Sequence, residues 1–484
     1  MIAAAVLFSF HRHGGAKPAV AHNSIWRRTE GAAMDTIRES ARTTPVVADV
    51  DLCVVGGSAT GVFAAVTAAR LGLKVALVEL NGFFGGVAAA GLVSIWHTTL
   101  DTEFKQTIIA GLTTEVIERL RKRQAVDILE PDDGVHYVLN TEELKIELDA
   151  LVTEAGVRPM LHTQFVAPVV QDGRLAAAIV EDKSGRRAIR AKFFVDATGD
   201  GDLVARAGLP CETWTDLQPP TTCMIVHGLA AWRKANPDLD PAAAAYDNSD
   251  GQEIPRGFFW GRPRPGGADL TMIAGTRVPG ADCSDADQLT AAEIEGRRQV
   301  RVICDRWRRA AGGAGLSLQQ LPATIGIRDT RHAVCLHRLT EREVLDGVRF
   351  DDAIANGSYR VDVHHSDKPG LTFRYLDGRE LYVVPGRPTE NGRWREATPI
   401  DPTFYQVPYR SLVPRGATNV LVAGRLMDAD RGAYGAVRVM VNCNQTGEAA
   451  GAAAFVALDS GAAVADLDVS QLRDVLQRQG AQIL

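Results

Sequence analysis

An α/β fold built on a mixed, largely parallel sheet, with an α+β lobe inserted into it, is what three features of this 484-residue sequence predict. The first is Asp51–Glu79, DLCVVGGSATGVFAAVTAARLGLKVALVE, which reads as strand, turn, helix and strand. The second is Phe193–Gly208, FFVDATGDGDLVARAG, which repeats an apolar strand, a tight Gly-Asp turn and a helix. The third is a change of character between about Leu209 and Phe404, after which the chain returns with the strand NVLVAGR and a long helix of small residues.

In the opening unit, Asp51–Val55 is apolar and rich in β-branched residues, Val62–Leu71 is a small-residue helix, and Lys74–Val78 is the second strand. Gly56, Gly57 and Gly61 make the turn. Such a turn suits a pyrophosphate, which sits against backbone amides at a helix N-terminus, where the dipole favours negative charge and a bulky side chain would block approach. Glu79 stands 23 positions after Gly56, the interval at which a carboxylate accepts hydrogen bonds from ribose hydroxyls. That carboxylate implies an unphosphorylated ribose. The unit is therefore Rossmann-like, with one departure from G-x-G-x-x-G: Ser58 holds the second position, offering its amide and its hydroxyl.

Composition bounds what surrounds this unit. With 46% hydrophobic and 23% charged residues, the chain reads as a soluble globular protein of two or three lobes. A net charge of -6 argues against nucleic acid as a partner, because phosphate neutralisation needs a basic surface. The seven cysteines, scattered from Cys53 to Cys443 and never in C-x-x-C, suggest neither a disulfide framework nor an iron-sulfur or zinc site. Reduced thiols and a cytoplasmic location are expected. Residues 1–46 read as an appendage whose apolar run IAAAVLFSF is too short to span a bilayer and lacks preceding basic residues. Translation from Met34 is the expectation, a signal peptide the alternative. No membrane is expected as a partner.

Further along, Gly85 and Gly86 form a second Gly-rich loop that permits close backbone approach to a ligand. Ile108–Arg123 has helical spacing, and a second helix starts at Asn140 or Thr141, with Glu143 placed to close a capping box, and ends at Gly156. Strands follow from Arg158 to Ile179, broken at the turn dipeptide Asp172-Gly173. The middle third holds one strong helix, Thr290–Arg309, with Glu293 at the capping-box position. The expected division is an appendage, 1–46; a discontinuous nucleotide-binding domain, 47–208 with 405–460; an inserted substrate lobe, 209–404; and a C-terminal tail, 461–484.

Taken together, Gly56–Glu79, the Gly85-Gly86 loop, Asp196-Ala197-Thr198-Gly199-Asp200, Ile325-Gly326-Ile327-Arg328, Asp362-Val363-His364 and Leu421–Ala454 resemble the FAD-dependent oxidoreductase family of glutathione-reductase-type flavoproteins. The resemblance runs over roughly Val46–Leu458, in the family's order, with the fumarate reductase and heterodisulfide reductase flavoproteins as superfamily relatives. It implies bound FAD. The ADP half would lie on Gly56, Gly57, Ser58, Gly61 and Glu79, with the adenine edge near Val166. The ribityl chain and isoalloxazine would lie near Asp200 and the C-terminal helix, read as starting at Gly435–Arg438, and Gly85, Gly86, Thr198, Gly199, Gly424, Arg425, Gly435 and Val437 complete the expected cofactor-binding residues. No second G-x-G-x-x-G and no redox cysteine pair appear, so a built-in NAD(P)H domain is not expected. Phe83-Phe84 occupies the place of the flavin-carrying histidine of fumarate reductases, so the flavin is expected to be noncovalent.

Five residues are candidates for the chemistry. His97 follows the second Gly-rich loop, and imidazole has a pKa suited to moving a proton beside a hydride. Arg328, with Arg331 and His332, has the forked donors that clamp a carboxylate or other anion. Arg438 sits where the last helix would face flavin or substrate. Each also has a bland reading as a structural histidine, a lobe brace or a helix cap. The function expected is hydride transfer between a small organic substrate and flavin N5, with an unidentified electron donor or acceptor completing turnover. A flavin monooxygenase and an FAD-containing structural or RNA-modification partner are the alternatives.

Overall fold

The computed structural model describes residues 36–129, 136–310 and 315–484. Most of the appendage, with Met34, lies outside the described residues. Thr43–Leu484 forms one compact unit. Its centre is a seven-stranded sheet in which β1 (Val46–Val55) runs parallel to β2 (Val75–Val78) on one side and to the long strand Gly185–Asp196 on the other. Between β1 and β2 the chain makes α1 (Ala59–Arg70), which starts three residues earlier than its apolar spacing indicates. Ser58 is the reason: it is the N-cap, its hydroxyl accepting from the Gly61 amide at 3.5 Å.

The next helices are α2 (Leu112–Lys122) and α3 (Thr141–Glu154). Ile108–Gly111, expected to be helical, lies outside α2 because Gly111 adopts φ +68° at its N-cap. Asn140 caps α3 through the Glu142 amide at 3.1 Å, rather than through a box closed by Glu143. The sheet then gains β3 (Arg158–Met160) beside β2, and β4 (Gln164–Gln171), β5 (Arg174–Asp182) and β6 (Gly185–Asp196) as an antiparallel meander. The turn between β4 and β5 is Asp172-Gly173, with φ of +50° and +74°, both positive as a two-residue hairpin turn requires.

Residues 209–404 contribute further sheets. One carries β7 (Cys223–His227), β8 (Trp260–Pro263), β9 (Leu270–Ala274) and, beyond the long helix α4 (Ala286–Arg309), β10 (Ser317–Gln320). Trp232, Tyr246, Ile303 and Trp307 fill a core of their own between this sheet and α4. The helix begins at Ala286, earlier than the expected Thr290, because Asp285 caps it through the Gln288 amide at 3.0 Å. Glu293 consequently does not cap; its carboxylate accepts from the Ile325 amide at 2.6 Å. A second antiparallel sheet consists of β11 (Val361–His364), β12 (Leu371–Arg374), β13 (Arg379–Val383) and β14 (Glu390–Arg393).

The chain then returns to the central sheet. β15 (Val420–Val422) pairs in parallel with the end of β6, and α5 (Arg431–Val437) and α6 (Met440–Ser460) follow. Helix α6 lies along α1 at the closest possible approach. A Cβ on Gly447 would run into the Thr60 carbonyl, and one on Gly451 into the Ala64 carbonyl. Among the described residues no helix is long and apolar enough to cross a membrane.

The same helix buries Glu448, which accepts from the Leu112 amide at 3.1 Å and so caps α2 from across the interface. Burial pushes its carboxyl up to about 8 from an ordinary 4.5. The folded protein therefore keeps a proton that the unfolded chain releases, and the stabilisation, complete below pH 4.5, is lost as pH rises towards 8. Stability is expected to fall by about 1.4 kcal/mol per pH unit in that window. Glu448→Gln, neutral throughout, is expected to flatten this slope in urea titrations; an unchanged slope would mean that Glu448 is not protonated in the fold.

Candidate active site

A cleft runs across the C-terminal ends of the parallel strands, where helix N-termini converge. Its first wall is the turn Gly56–Thr60. Gly56 takes φ +102°, and a Cβ on Gly57 would stand 2.6 Å from the Phe84 ring and 2.8 Å from Glu79. The Gly61 amide goes to the Ser58 hydroxyl and the Val62 amide to the Ser58 carbonyl. Helix geometry leaves the amides of Ala59 and Thr60 without intrahelical partners, and both residues line the cleft. Gly86, in the second loop, takes φ +51° and must lack a side chain because the Ser58 backbone and Cβ lie against it. The Ser58 substitution is thus accommodated by a glycine 28 positions on.

Glu79 lies at the end of β2 on the cleft lining. One oxygen accepts from the Gly57 amide at 2.7 Å, the other from the Asn81 amide and side chain, each at 2.7 Å. A carboxylate has about four lone-pair sites, so these contacts position it and still leave capacity for a ribose. Burial raises its pKa, and these same amides oppose the rise.

The opposite wall is the turn after β6. Asp196 is fully buried and accepts from the Thr198 amide and hydroxyl and from the Leu203 and Val204 amides, at 2.7 to 3.0 Å. It ties the turn shut, which presents Thr198, Gly199 and Asp200 to the cleft. Asp200 pairs with Arg425 at 2.5 Å, and the Thr330 hydroxyl bridges the two. Gly424 adopts φ +77° beside Thr60. Beyond them lies the N-terminal turn of α6, with Arg438, Met440, Cys443 and Asn444 on the lining.

Asn444 decides what the cleft is built for. It is 1% exposed, and neither its amide nitrogen nor its carbonyl oxygen has a protein partner. A buried, unpaired amide costs about 1 to 3 kcal/mol, so a partner with both donors and acceptors suits this position, as a flavin or ribityl chain provides. Sequence reasoning missed this residue, although the polar run Asn442–Gln445 inside an Ala/Gly helix was a signal. Replacing Asn444 with leucine is expected to weaken FAD binding about three- to tenfold in fluorescence titrations of apo-protein. An unchanged Kd would show that the amide does not address the cofactor.

Several expected positions fall elsewhere. Val166 does not line the cleft; its neighbours Thr163, Gln164 and Phe165 do, while its own carbonyl accepts from Arg206 at 2.9 Å. Gly435 and Val437 also lie off the lining, because the helix expected to begin there ends there, and the one addressing the cleft begins at Met440. Gly435 serves packing: a Cβ would stand 2.7 Å from the Asp362 carbonyl oxygen on β11. His332 is fully buried, bonded to Asp329 at 2.8 Å and stacked on Trp214 at 4.0 Å, so it braces the lobe. Arg331 bonds the Gly201 and Ser284 carbonyls, away from Arg328. The expected three-residue anion clamp is therefore not assembled.

Arg328, Arg438 and His97 instead gather around a carboxylate that sequence reasoning left out of the site. Asp362 accepts from the Tyr359 hydroxyl at 3.1 Å, lies 3.4 Å from Arg438 and faces His364 at 3.3 Å. Although burial opposes its ionisation, His364 and Arg438 hold its carboxyl well below the usual range. Burial and the charge of Arg328 bring His364 down to about 3. The His97 ring packs 4.2 Å from that of Tyr359, and burial with the neighbouring His136 holds it well below the ordinary value. Alternation along β11 puts Asp362 and His364 on one face, a signal present in the sequence.

The comparisons agree with the cleft. Residues 51–476 match the family model described as FAD dependent oxidoreductase. A digeranylgeranylglycerophospholipid reductase of Methanoculleus marisnigri is 29% identical over 248 residues, 49% of this chain and 58% of that protein. A thiamine thiazole synthase of Thermococcus kodakarensis is 26% identical over 165 residues, 32% of this chain and 60% of that protein. The chain thus spans little more than half the length of these curated relatives. A solved geranylgeranyl bacteriochlorophyll reductase-like protein of Thermoplasma acidophilum has a TM-score of 0.46 at 14% identity, covering 90% of this chain and 84% of that one. The glycine turn, the carboxylate after β2 and the unpaired Asn444 amide fit FAD. With the family match extending over most of its length, the chain belongs to the FAD dependent oxidoreductase family, and FAD is its cofactor.

Proposed function

We propose that this enzyme moves a hydride between a small, polar organic substrate and flavin N5, the substrate lying between the cofactor cleft and β11. FAD, when bound, supplies the two-electron donor or acceptor. The observation that carries the reading is the position of Arg438, which lines the cleft and also reaches Asp362 and the Gln218 side chain, at 3.4 and 3.3 Å. One side chain thus joins the cofactor's wall to a buried group of acids, bases and a phenol. His364 is neutral at physiological pH and oriented by Asp362, so it is the group to take a proton from, or return one to, the substrate. Tyr359, whose hydroxyl bonds Asp362, packs against the His97 ring at 4.2 Å beside this group.

A second partner must supply or remove the electrons, and this role is open to a small molecule or a protein. The relative named a reductase makes the reducing direction the first to test. The charged groups gathered at Asp362, Arg438 and Arg328 favour a polar substrate over a lipid chain. The test is anaerobic: organic acids, amino acids and sugars are screened for bleaching of oxidised flavin, and their unsaturated or keto counterparts for reoxidation of dithionite-reduced enzyme. A panel that moves the flavin in neither direction counts against hydride transfer to this class of substrate.

A further inference from the structure

We propose that the substrate carries a carboxylate, held by Arg328, Arg438 and the side-chain amide of Gln218. The proposal rests on the substrate seat inferred above and names the chemistry of its occupant. Gln218 is wholly buried, and its oxygen accepts from the His364 amide at 3.2 Å and from Arg438 at 3.3 Å. An atom that receives two donors is the oxygen, so the orientation of this amide follows from its partners. Its nitrogen is then left with two N–H groups and no acceptor, and the Arg438 Nε is unpartnered as well. Two buried donors on adjoining side chains lack the same thing.

Charge points the same way. Arg328 spends one terminal nitrogen on the Pro219 carbonyl and the Thr221 hydroxyl, each at 2.5 Å, and among the described residues no carboxylate pairs with it. Burial and the nearby charge of Arg438 lower its pKa to about 10, the response of a cation short of counter-charge. Arg328 and Arg438 both stand near the one carboxylate of Asp362, with His364 neutral beside them. Asp362 takes Tyr359 and Arg438 on one oxygen, while its other oxygen makes no hydrogen bond and faces His364 at 3.3 Å, so neither Arg328 nor the idle Gln218 amide has it as a partner. A second carboxylate, planar and with about four acceptor sites, would satisfy the idle donors and the surplus charge together. A cationic substrate would meet repulsion, and a neutral one would leave the surplus uncompensated.

The experiment titrates FAD-loaded protein with acetate, malonate and succinate, with acetamide and sulfate as controls, and reads the visible difference spectrum of the flavin. At least one carboxylate is expected to give a saturable shift, with none from acetamide. Gln218→Glu keeps the oxygen that His364 and Arg438 require and replaces the idle donor with a negative acceptor. It is expected to retain flavin and to bind the carboxylate at least about tenfold more weakly. Arg328→Met provides a second variant with the same expectation. The proposal is overturned if no carboxylate perturbs the flavin, if sulfate or acetamide does so equally, or if both variants bind as the parent does. A neutral compound that bleaches flavin while carboxylates neither bind nor compete would remove this proposal and leave hydride transfer standing. Carboxylates that bind saturably, with no compound turned over, would do the reverse.

Discussion

His364→Gln is expected to slow flavin reduction by about 10²- to 10⁴-fold, the range that a positioned general acid or base contributes. The change removes the ring beside Asp362 but keeps the backbone amide that bonds Gln218. Flavin content should not change, because His364 does not line the cofactor cleft. The pH dependence follows from the direction of its shift: with the imidazole brought down to about 3, it stays in its proton-accepting form throughout the neutral range. The parent enzyme should therefore show no loss of reduction rate through His364 between about pH 5 and 8. Anaerobic stopped-flow with whichever substrate the screen identifies measures both, and a His364→Gln variant reducing at the parent rate would remove His364 from the proton transfer.

Gly447→Val is expected to have the largest structural effect. Even the first carbon of the new side chain would enter the space of the Thr60 carbonyl, and backbone on both sides leaves nothing flexible to yield. Overpacking typically costs about 1 to 3 kcal/mol where side chains can move, and the cost here should lie at or above that range. Loss of flavin should accompany it, since α1 and α6 each present an N-terminal turn to the cleft and the seam fixes their spacing. Gly392→Ala is the control, its nearest neighbour being 3.9 Å from the added carbon. Thermal unfolding and flavin release on dialysis read the result; parental values for Gly447→Val would mean that the two helices can separate without consequence.

The cofactor half of the site was legible because its chemistry is local. Gly56–Glu79 is one supersecondary unit whose glycines and spacing point to a nucleotide, a reading that the later Gly-rich stretches reinforce. What local spacing could not show was the role of Ser58, which depends on Gly86, or that of Glu448, which caps a helix more than 300 positions away. Helix boundaries shifted wherever a cap outweighed apolar periodicity, as Asp285 does for α4 and Asp430 for α5 through the Ala433 amide. Mistaking the end of α5 for a beginning is what carried Gly435 and Val437 into the expected flavin site. The proposed substrate half was less legible because its residues, Gln218, Arg328, Asp362 and Arg438, are brought together only by tertiary contact, each ordinary in its own stretch of chain. His332 and Arg331, neighbours of Arg328 in sequence, were drawn into the clamp by proximity along the chain, whereas the fold turns them to other partners.

The helix seam also dictates an order of events during synthesis. Thr60 and Ala64 emerge early, yet the glycines that seat against them are residues 447 and 451, and β15, which pairs with the end of β6, is made only shortly before. Until then the nascent chain exposes the apolar side of α1 and one edge of β6 near its C-terminal end, both of them adhesive surfaces. FAD cannot meet a finished pocket while the ribosome still holds α6. Complete flavin seating is therefore expected only once α6 has emerged, and a nascent chain stalled before residue 440 is expected to depend on chaperones to stay unaggregated.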